Sequence, residues 1–141
     1  MTLEETIRLT GACAKEMNDR YGKSVFDEWA IVSLLRQQGR ILAYTGPRND
    51  IFLKSFADDL GALRAELLDA KYATGDFEFA RHGEGTKFEA FMVLGEGLYL
   101  ICNNTHASMH DIAKDPRWLT AQVPFAELSE KVRSSPLALS V

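Results

Sequence analysis

Cysteines, clusters of basic residues and long apolar runs are all scarce in this sequence. It has only two cysteines, Cys13 and Cys102, which give no disulfide framework and predict a reducing, cytoplasmic location. No apolar run approaches the roughly 20 residues of a membrane span, so we predict no membrane insertion. The first residues lack the basic region and apolar core of a secretion signal. Because the net charge is -4 and no basic cluster occurs, nucleic acid is not an expected partner.

What the sequence does contain is an ordinary globular composition. Its residues are 46% hydrophobic and 26% charged, which excludes wholesale disorder. A length of 141 residues suits one domain. We predict that this domain spans residues 1–134 and that the Ser-, Pro- and Leu-rich tail at 135–141 is loose.

The first third of the chain predicts a helix followed by a β-hairpin. Apolar residues recur at helical spacing over 3–20, where Thr2 starts a capping-box pattern and Gly22 is expected to end the helix. Two short apolar runs at 29–35 and 40–45 flank a Gly-containing connector. That arrangement is typical of a hairpin.

A long helix is predicted next, over about 50–70. Its apolar side spans roughly 160°, which is wider than the stripe of about 100° that a surface helix usually needs. Packing on one sheet face would leave the margins of such an arc in water, so the excess predicts an interface. The apolar side comprises Phe52, Leu53, Phe56, Ala57, Leu60, Leu63, Leu67 and Leu68.

Three further strands are predicted at 76–81, 87–94 and 98–102, and a tight turn at Gly95–Gly97 joins the last two. The middle strand carries apolar residues on both sides, so both faces of the sheet should be covered. One side is assigned Phe88, Ala90, Met92 and Leu94, and the other Phe91 and Val93.

Helices are predicted at the end of the chain. Thr105 can cap a short helix over about 107–114, and Pro124 fits the first turn of a last helix over 124–134. Trp118 falls in the connector between them. The complete order is helix, two strands, helix, three strands and helices. It predicts an α+β fold in which helices flank a five-stranded antiparallel sheet.

Two stretches carry a resemblance to a known family. Residues 30–33 lead through a Gly-containing turn to Gly39–Gly46, and Gly97–Cys102 forms a strand before the last helices. Over roughly residues 3–133 the chain resembles the Roadblock/dynein-light-chain family, whose members share a small profilin-like fold. The resemblance implies a non-enzymatic regulator or scaffold that binds a small Ras-like GTPase. It also places the strand at 77–82 on an edge of the sheet.

A homodimer is predicted from this edge strand and the long helix, because an unpaired edge can extend a sheet across a two-fold axis. Arg64 lies inside the apolar side of the helix and should find an acidic partner or solvent at the dimer margin. The predicted interface residues are Phe52, Leu53, Phe56, Ala57, Leu60, Leu63, Arg64, Leu67, Phe77 and Phe79.

Contacts with the partner protein are predicted at two kinds of residue. Arginines bracket the first hairpin, and together they could bind carboxylates or phosphates. Trp118 is an aromatic residue in a predicted loop, which is typical of an interface anchor. The arginines are Arg36, Arg40 and Arg48.

No catalytic residue, metal ligand or cofactor is predicted. Cys102, His106 and His110 have a spacing that can serve zinc, but no fourth ligand accompanies them. Residues 82–86 lack the lysine of a phosphate-binding loop. The carboxylates of the second β region are better explained as solvated groups than as an acid–base pair. They are Glu78, Glu84, Glu89 and Glu96.

A small-molecule sensor is the alternative hypothesis. Four apolar side chains would then line a pocket between sheet and helix. A void with converging polar groups would favour the sensor, whereas a filled core and a symmetric interface would favour the regulator. The four residues are Phe77, Phe79, Phe88 and Met92.

Overall fold

The computed structural model of the protein describes residues 1–35, 39–50, 53–54, 64, 67, 71–79 and 88–139. Apart from the predicted helix over 50–70, the described helices and strands follow one another in the predicted order. Their bounds are α1 (Leu3–Tyr21), β1 (Glu28–Ser33), β2 (Arg40–Thr45), β3 (Phe77–Phe79), β4 (Ala90–Gly95), β5 (Leu98–Asn103), α2 (Met109–Ala113), α3 (Trp118–Ala121) and α4 (Val123–Ser134).

Helix α1 begins and ends as its sequence predicts. The Thr2 hydroxyl accepts a hydrogen bond from the Glu5 N–H, which satisfies one of the free donors of the first turn. At the other end, Gly22 adopts a φ of 83°, and its N–H donates to the Asn18 carbonyl. This left-handed conformation favours glycine, so Gly22 stops the helix.

The five strands form one antiparallel sheet in the order β2-β1-β5-β4-β3. The predicted α+β class and the five-stranded antiparallel sheet are therefore confirmed. Strand β5 lies at the centre between β1 and β4, while β2 and β3 lie at the two edges. No helix among the described residues is long and apolar enough to cross a membrane.

Both faces of the sheet are buried, as the alternation in β4 predicts. Helices α1, α3 and α4 pack with one another on the first face, where Met92 and Leu100 are fully buried. The second face buries Val32, Phe91 and Tyr99. One assignment is wrong: Phe88 precedes β4, and its ring packs against Phe91 on the second face, with 6.2 Å between ring centroids.

The predicted helix over 50–70 is described at only a few positions. Asp50, Leu53, Lys54, Arg64 and Leu67 are helical. Leu67 is buried in the second-face core of the single chain. The predicted positions Phe52, Phe56, Ala57, Leu60, Leu63 and Leu68 lie outside the described residues, as do the strand ends at 80–82 and 87.

The structure corrects two predictions near α2 and α3. Ser108, not Thr105, caps α2, because its hydroxyl accepts the Asp111 N–H, whereas Thr105 donates its hydroxyl to Asp27. Trp118 does not lie in a loop. It begins α3, and its buried ring meets the Phe79 ring edge-on at 4.8 Å, so it is not a surface anchor in the folded chain.

The tail after α4 is not loose over 135–139. Leu137 is only 4% exposed, and its N–H donates to the Leu94 carbonyl at 2.8 Å. The Ala138 N–H donates to the Met1 carbonyl at 3.1 Å. The apolar Leu137 side chain thus anchors the tail beside β4 and extends the ordered domain beyond the predicted boundary at 134.

The turn between β4 and β5 depends on Gly97, whose φ is 67°. We expect Gly97→Val to lower the free energy of unfolding by about 1–2 kcal/mol, because β-branched residues are strained at positive φ. Gly97→Asn should lose less, since asparagine tolerates this conformation better. Urea unfolding measures both losses, and a Gly97→Val protein as stable as wild type would contradict the expectation.

Candidate functional site

Polar side chains converge at one end of the sheet, where β1 begins and β2 and β5 end. At the centre lies Glu28, whose side chain is only 6% exposed. Its Oε2 accepts from the Tyr44 hydroxyl at 2.6 Å and from Arg48 Nε at 2.7 Å. Its Oε1 accepts from the Asn103 amide at 3.0 Å. We call Glu28, Tyr44, Arg48 and Asn103 the polar end.

The polar end ties the chain after β2 to the centre of the sheet. Tyr44 also accepts the Arg48 backbone N–H at 3.1 Å, so one hydroxyl fixes both the strand and the turn after it. Burial, and then the hydrogen bond to Glu28, raises the pKa of Tyr44 to about 12. The phenol therefore stays protonated at neutral pH and acts as a donor. Both oxygens of the Glu28 carboxylate therefore accept hydrogen bonds that stabilise the fold.

A second carboxylate, Glu89, extends this network to α2. Its Oε1 accepts the Met109 N–H at 2.9 Å, and its Oε2 accepts the Asn104 N–H at 3.2 Å. Its own N–H donates to the Asn103 side chain at 3.0 Å. Glu89 is therefore not the solvated group predicted from its position. Its carboxylate stabilises the first turn of α2 by accepting backbone hydrogen bonds.

Of the remaining candidate carboxylates, two are described, and they lie in other parts of the sheet. Glu78 accepts the Tyr72 hydroxyl at 3.0 Å, and Glu96 is exposed in the turn between β4 and β5. Glu84 and the loop at 82–86 lie outside the described residues. No acid–base pair is therefore assembled from the described members of the predicted set.

The residues with zinc-like spacing are kept apart by burial. Cys102 lies in the core on β5, and burial raises the pKa of its thiol. His106 is exposed, with Nε2 3.7 Å from Asp27 Oδ2. In the part of the chain that the structure describes, no three His, Cys, Asp or Glu residues form a group that could hold a metal ion.

The predicted arginine cluster does not converge. Arg40 begins β2 and is exposed, whereas Arg48 follows the other end of that strand and is bound to Glu28. At about 3.4 Å per residue, the strand alone separates its two ends by roughly 17 Å. Arg36 lies outside the described residues. Of the three, Arg40 is the one that the structure places on an open surface.

The predicted dimer residues on β3 use their side chains inside the chain. The ring centroids of Phe77 and Phe125 lie 5.3 Å apart, and those of Phe79 and Phe125 lie 4.8 Å apart. Both phenylalanines are half-buried. What β3 offers to a second copy is therefore mainly its backbone edge.

The free backbone groups of β3 follow from the pairing with β4. Val93 exchanges backbone hydrogen bonds with Gly75 and Asp76, so its polar groups face β3. By alternation, those of Phe91 face β3 as well, and they meet Glu78 in the register. The N–H and C=O groups of Phe77 and Phe79 consequently point away from β4, toward the side of β3 on which no described strand pairs.

Arg64 has a hydrogen-bond partner within its own chain. Its Nε donates to the Leu34 carbonyl at 2.8 Å, which ties this helical position to the chain just after β1. Leu67 is only 1% exposed, so it contributes to the core of one chain. Leu53 is half-buried near the start of the helix. Among the described helix positions, Leu53 is the apolar residue whose side chain remains partly exposed.

The four residues of the predicted sensor pocket do not line one space. Met92, Phe77 and Phe79 belong to the first-face core, whereas Phe88 belongs to the second. The aromatic rings of β3 fill the space against α4. The four residues that were predicted to line the sensor pocket are therefore divided between the two faces of the sheet.

Comparison with known proteins adds no relative. No family model matches the chain, and neither a curated protein nor a solved structure matches it. Among the described residues, the surfaces considered for function are the outer edges of β2 and β3 and the exposed side of α1.

Proposed function

We propose that this chain is a non-enzymatic regulator or scaffold with a Roadblock-like, profilin-like fold, which forms a homodimer and binds a small Ras-like GTPase in the cytoplasm. The observation that carries the proposal is the strand order β2-β1-β5-β4-β3. It leaves the strand that follows the long helix on an edge, where the resemblance expects it. The two buried, unpaired cysteines fit a reducing compartment.

The proposed dimer joins two β3 edges and two long helices. Phe77 and Phe79 supply outward backbone groups, which a second β3 can satisfy. Leu53 is the half-buried apolar residue of the predicted interface at the helical positions that the structure describes. A second copy paired along β3 would extend the sheet across a two-fold axis.

A binding role, in place of a catalytic one, is supported by how the carboxylates are used. Glu28 and Glu89 each accept at least two hydrogen bonds from the chain itself. Asp27 accepts the Thr105 N–H at 2.9 Å and also its hydroxyl. These groups stabilise the fold, and they are poorly available to take a proton from a substrate.

The dimer is tested by a pair of neighbouring substitutions. Leu53→Glu should give a monomer of 15.8 kDa in sedimentation at micromolar concentration, because it places a charge on the proposed interface. Lys54→Glu, at an exposed position of the same turn, should leave the dimer intact. Thermal melting checks that both variants fold. A monomeric wild-type protein would overturn the dimer, and so would a dimeric, folded Leu53→Glu variant.

The partner is tested with purified small Ras-like GTPases from the source organism, loaded with GDP or with a non-hydrolysable GTP analogue. We expect one of them to bind in one nucleotide state more tightly than in the other, since a regulator must distinguish the two states. Calorimetry measures the affinities. If none of these GTPases binds in either state, the GTPase assignment is wrong, whatever the oligomeric state.

A further inference from the structure

Three sulfur-containing side chains meet in the core on the first face of the sheet. Cys13 and Met17 lie one turn apart on α1, and the Cys13 Sγ is 3.9 Å from the Met17 Sδ. Cys102 lies on β5, and these three residues line one small cavity between α1 and the sheet. Each of them is at most 8% exposed. We call Cys13, Met17 and Cys102 the sulfur cluster.

The cavity at the sulfur cluster has room for one small particle. Its volume is about 10 Å³, close to the least that holds a single water molecule. Among the described residues, no carboxylate, imidazole or ammonium group lines it. A buried water needs two to four polar partners, and sulfur is a weak acceptor of hydrogen bonds. A soft cation, in contrast, finds its preferred donors there.

A buried hydroxyl without a partner lies at the same cavity. Thr10 is only 2% exposed and lines the cavity, and its Oγ1 has no hydrogen-bond partner among the described residues. Thr10 precedes Cys13 by three residues, so their side chains are neighbours on one face of α1. An unmade hydrogen bond in the core is costly. A thiolate at Cys13 would accept this hydrogen bond, so the hydroxyl points to an anion that forms when a cation binds.

The donor set of the sulfur cluster favours a monovalent soft ion. Thiolate and thioether ligands select Cu⁺, whereas structural Zn²⁺ takes four tetrahedral ligands and the cluster supplies three. Two sulfurs that each lie about 2.3 Å from one ion are at most about 4.6 Å apart. The 3.9 Å between the Cys13 and Met17 sulfurs therefore suits a shared ion with little movement of the chain.

The cluster lies close to the surface of the protein. Cys13 also lines a pocket of about 70 Å³ between α1 and α4, so its side chain separates this pocket from the inner cavity. An ion can therefore reach the cluster past one side chain. The charges around the pocket balance, because Glu16, which pairs with Arg20 at 2.7 Å, is accompanied by Glu127 and Lys131. Selection for the ion consequently depends on the sulfurs.

We propose that the sulfur cluster binds one Cu⁺ ion. The ion takes the place of the thiol protons of Cys13 and Cys102, which both leave to solvent, and Met17 supplies a neutral third sulfur. No electron is transferred. The Thr10 hydroxyl donates to the Cys13 thiolate and stabilises the single negative charge that remains on the site. All of these residues belong to one chain, so the site depends neither on the proposed dimer nor on a GTPase.

The first test titrates the whole protein with Cu⁺ under anaerobic, reducing conditions, with a colorimetric chelator as competitor. We expect one equivalent to bind and the melting temperature to rise, because an ion held by the folded site stabilises the folded state. Thiols of the unfolded chain also bind copper, and binding there alone would lower the melting temperature. A melting temperature that falls or does not change with Cu⁺ would therefore overturn the proposal, as would an equal rise with Zn²⁺.

Substitutions separate the ligands from other sulfurs of the core. Cys13→Ala and Cys102→Ala should each lower the Cu⁺ affinity by more than about 100-fold, since losing an outer-shell partner alone costs about 10–100-fold. Met17→Leu should lower it by about tenfold, because it removes the thioether and keeps the volume. Met109→Leu is the control, as Met109 is equally buried but does not line the cavity. Wild-type affinity in Cys102→Ala or Met17→Leu would contradict the site.

Two further measurements do not depend on the cysteine variants. X-ray absorption of the wild-type protein with one equivalent of Cu⁺ should show three sulfur neighbours, and a nitrogen or oxygen neighbour would refute the assigned ligands. Thr10→Val removes the hydroxyl, so it should raise the melting temperature of the copper-free protein and lower the Cu⁺ affinity by about tenfold. An unchanged affinity in Thr10→Val would contradict the role of the hydroxyl.

Discussion

Replacing Glu28 with alanine is expected to lower the free energy of unfolding by about 3 kcal/mol. The substitution removes one acceptor that three donors share, from Tyr44, Arg48 and Asn103. The Asn103 residue is only 7% exposed, so its amide cannot recover the bond from bulk water without rearrangement. The loss should also free the turn after β2. Urea unfolding at neutral pH measures the change.

A surface pair provides the control for Glu28→Ala. Glu130 accepts from Arg133 at 2.7 Å, a distance equal to that of the Arg48–Glu28 pair, but its side chain is 74% exposed. Glu130→Ala should therefore cost no more than about 0.5 kcal/mol. Glu28→Gln keeps the shape and one acceptor, so its loss should fall between the two. If Glu28→Ala were no more costly than Glu130→Ala, the polar end would be of no structural importance.

Leu137→Ala is expected to cost about 2–3 kcal/mol, because it empties a buried site next to β4. Gly95→Ala should also destabilise the protein, since its added Cβ would collide with the Leu137 carbonyl oxygen. Both changes undock the same segment. The double variant should therefore lose less than the sum of the single losses.

The neighbouring Leu139 serves as the control for the tail. It is 38% exposed, so Leu139→Ala should change the unfolding free energy by about 0.5 kcal/mol or less. Hydrogen exchange of the Leu137 amide gives an independent measurement, because that N–H is bonded to Leu94. A loose tail would exchange that amide rapidly and would make the two leucine variants equivalent.

The elements with a clear local pattern could be predicted from the sequence. Helix α1 has an apolar stripe and signals at both ends, Thr2 and Gly22, that act within one turn. The β1–β2 hairpin likewise pairs two strands that are close together in the sequence. Such features depend on contacts between nearby residues, so a single sequence is enough to define them.

Errors arose where a distant contact decides the structure. Trp118 looks like a loop residue until Phe79, far earlier in the chain, is seen to pack against it. Phe88 fits the alternation of β4 by position, but the strand begins two residues later. Leu137 follows two serines and a proline, which suggest a loose tail, whereas its burial depends on distant residues of the first-face core. Local periodicity carries no information on these contacts.

The polar end was missed for the same reason. Glu28 stands directly before an apolar run, which is a usable signal of a buried strand start, yet its partners lie 16 and 75 residues away in the chain. The arginines of the hairpin were predicted to bind a partner, but Arg48 forms an ion pair with Glu28 of the same chain. Their separation along β2 could have been foreseen from strand geometry alone.

The central pairing of β1 with β5 has a consequence for how the chain folds. Each strand already belongs to a local hairpin, β1 with β2 and β4 with β5. Joining the two hairpins closes the connecting segment 46–89, a loop of roughly 45 residues, whose entropic cost rises only logarithmically with length. We expect hairpin docking to be the slow step. Doubling the length of the segment between the hairpins would add only about 0.6 kcal/mol to the closure cost. The length of that segment can therefore change in evolution with little effect on the stability of the sheet.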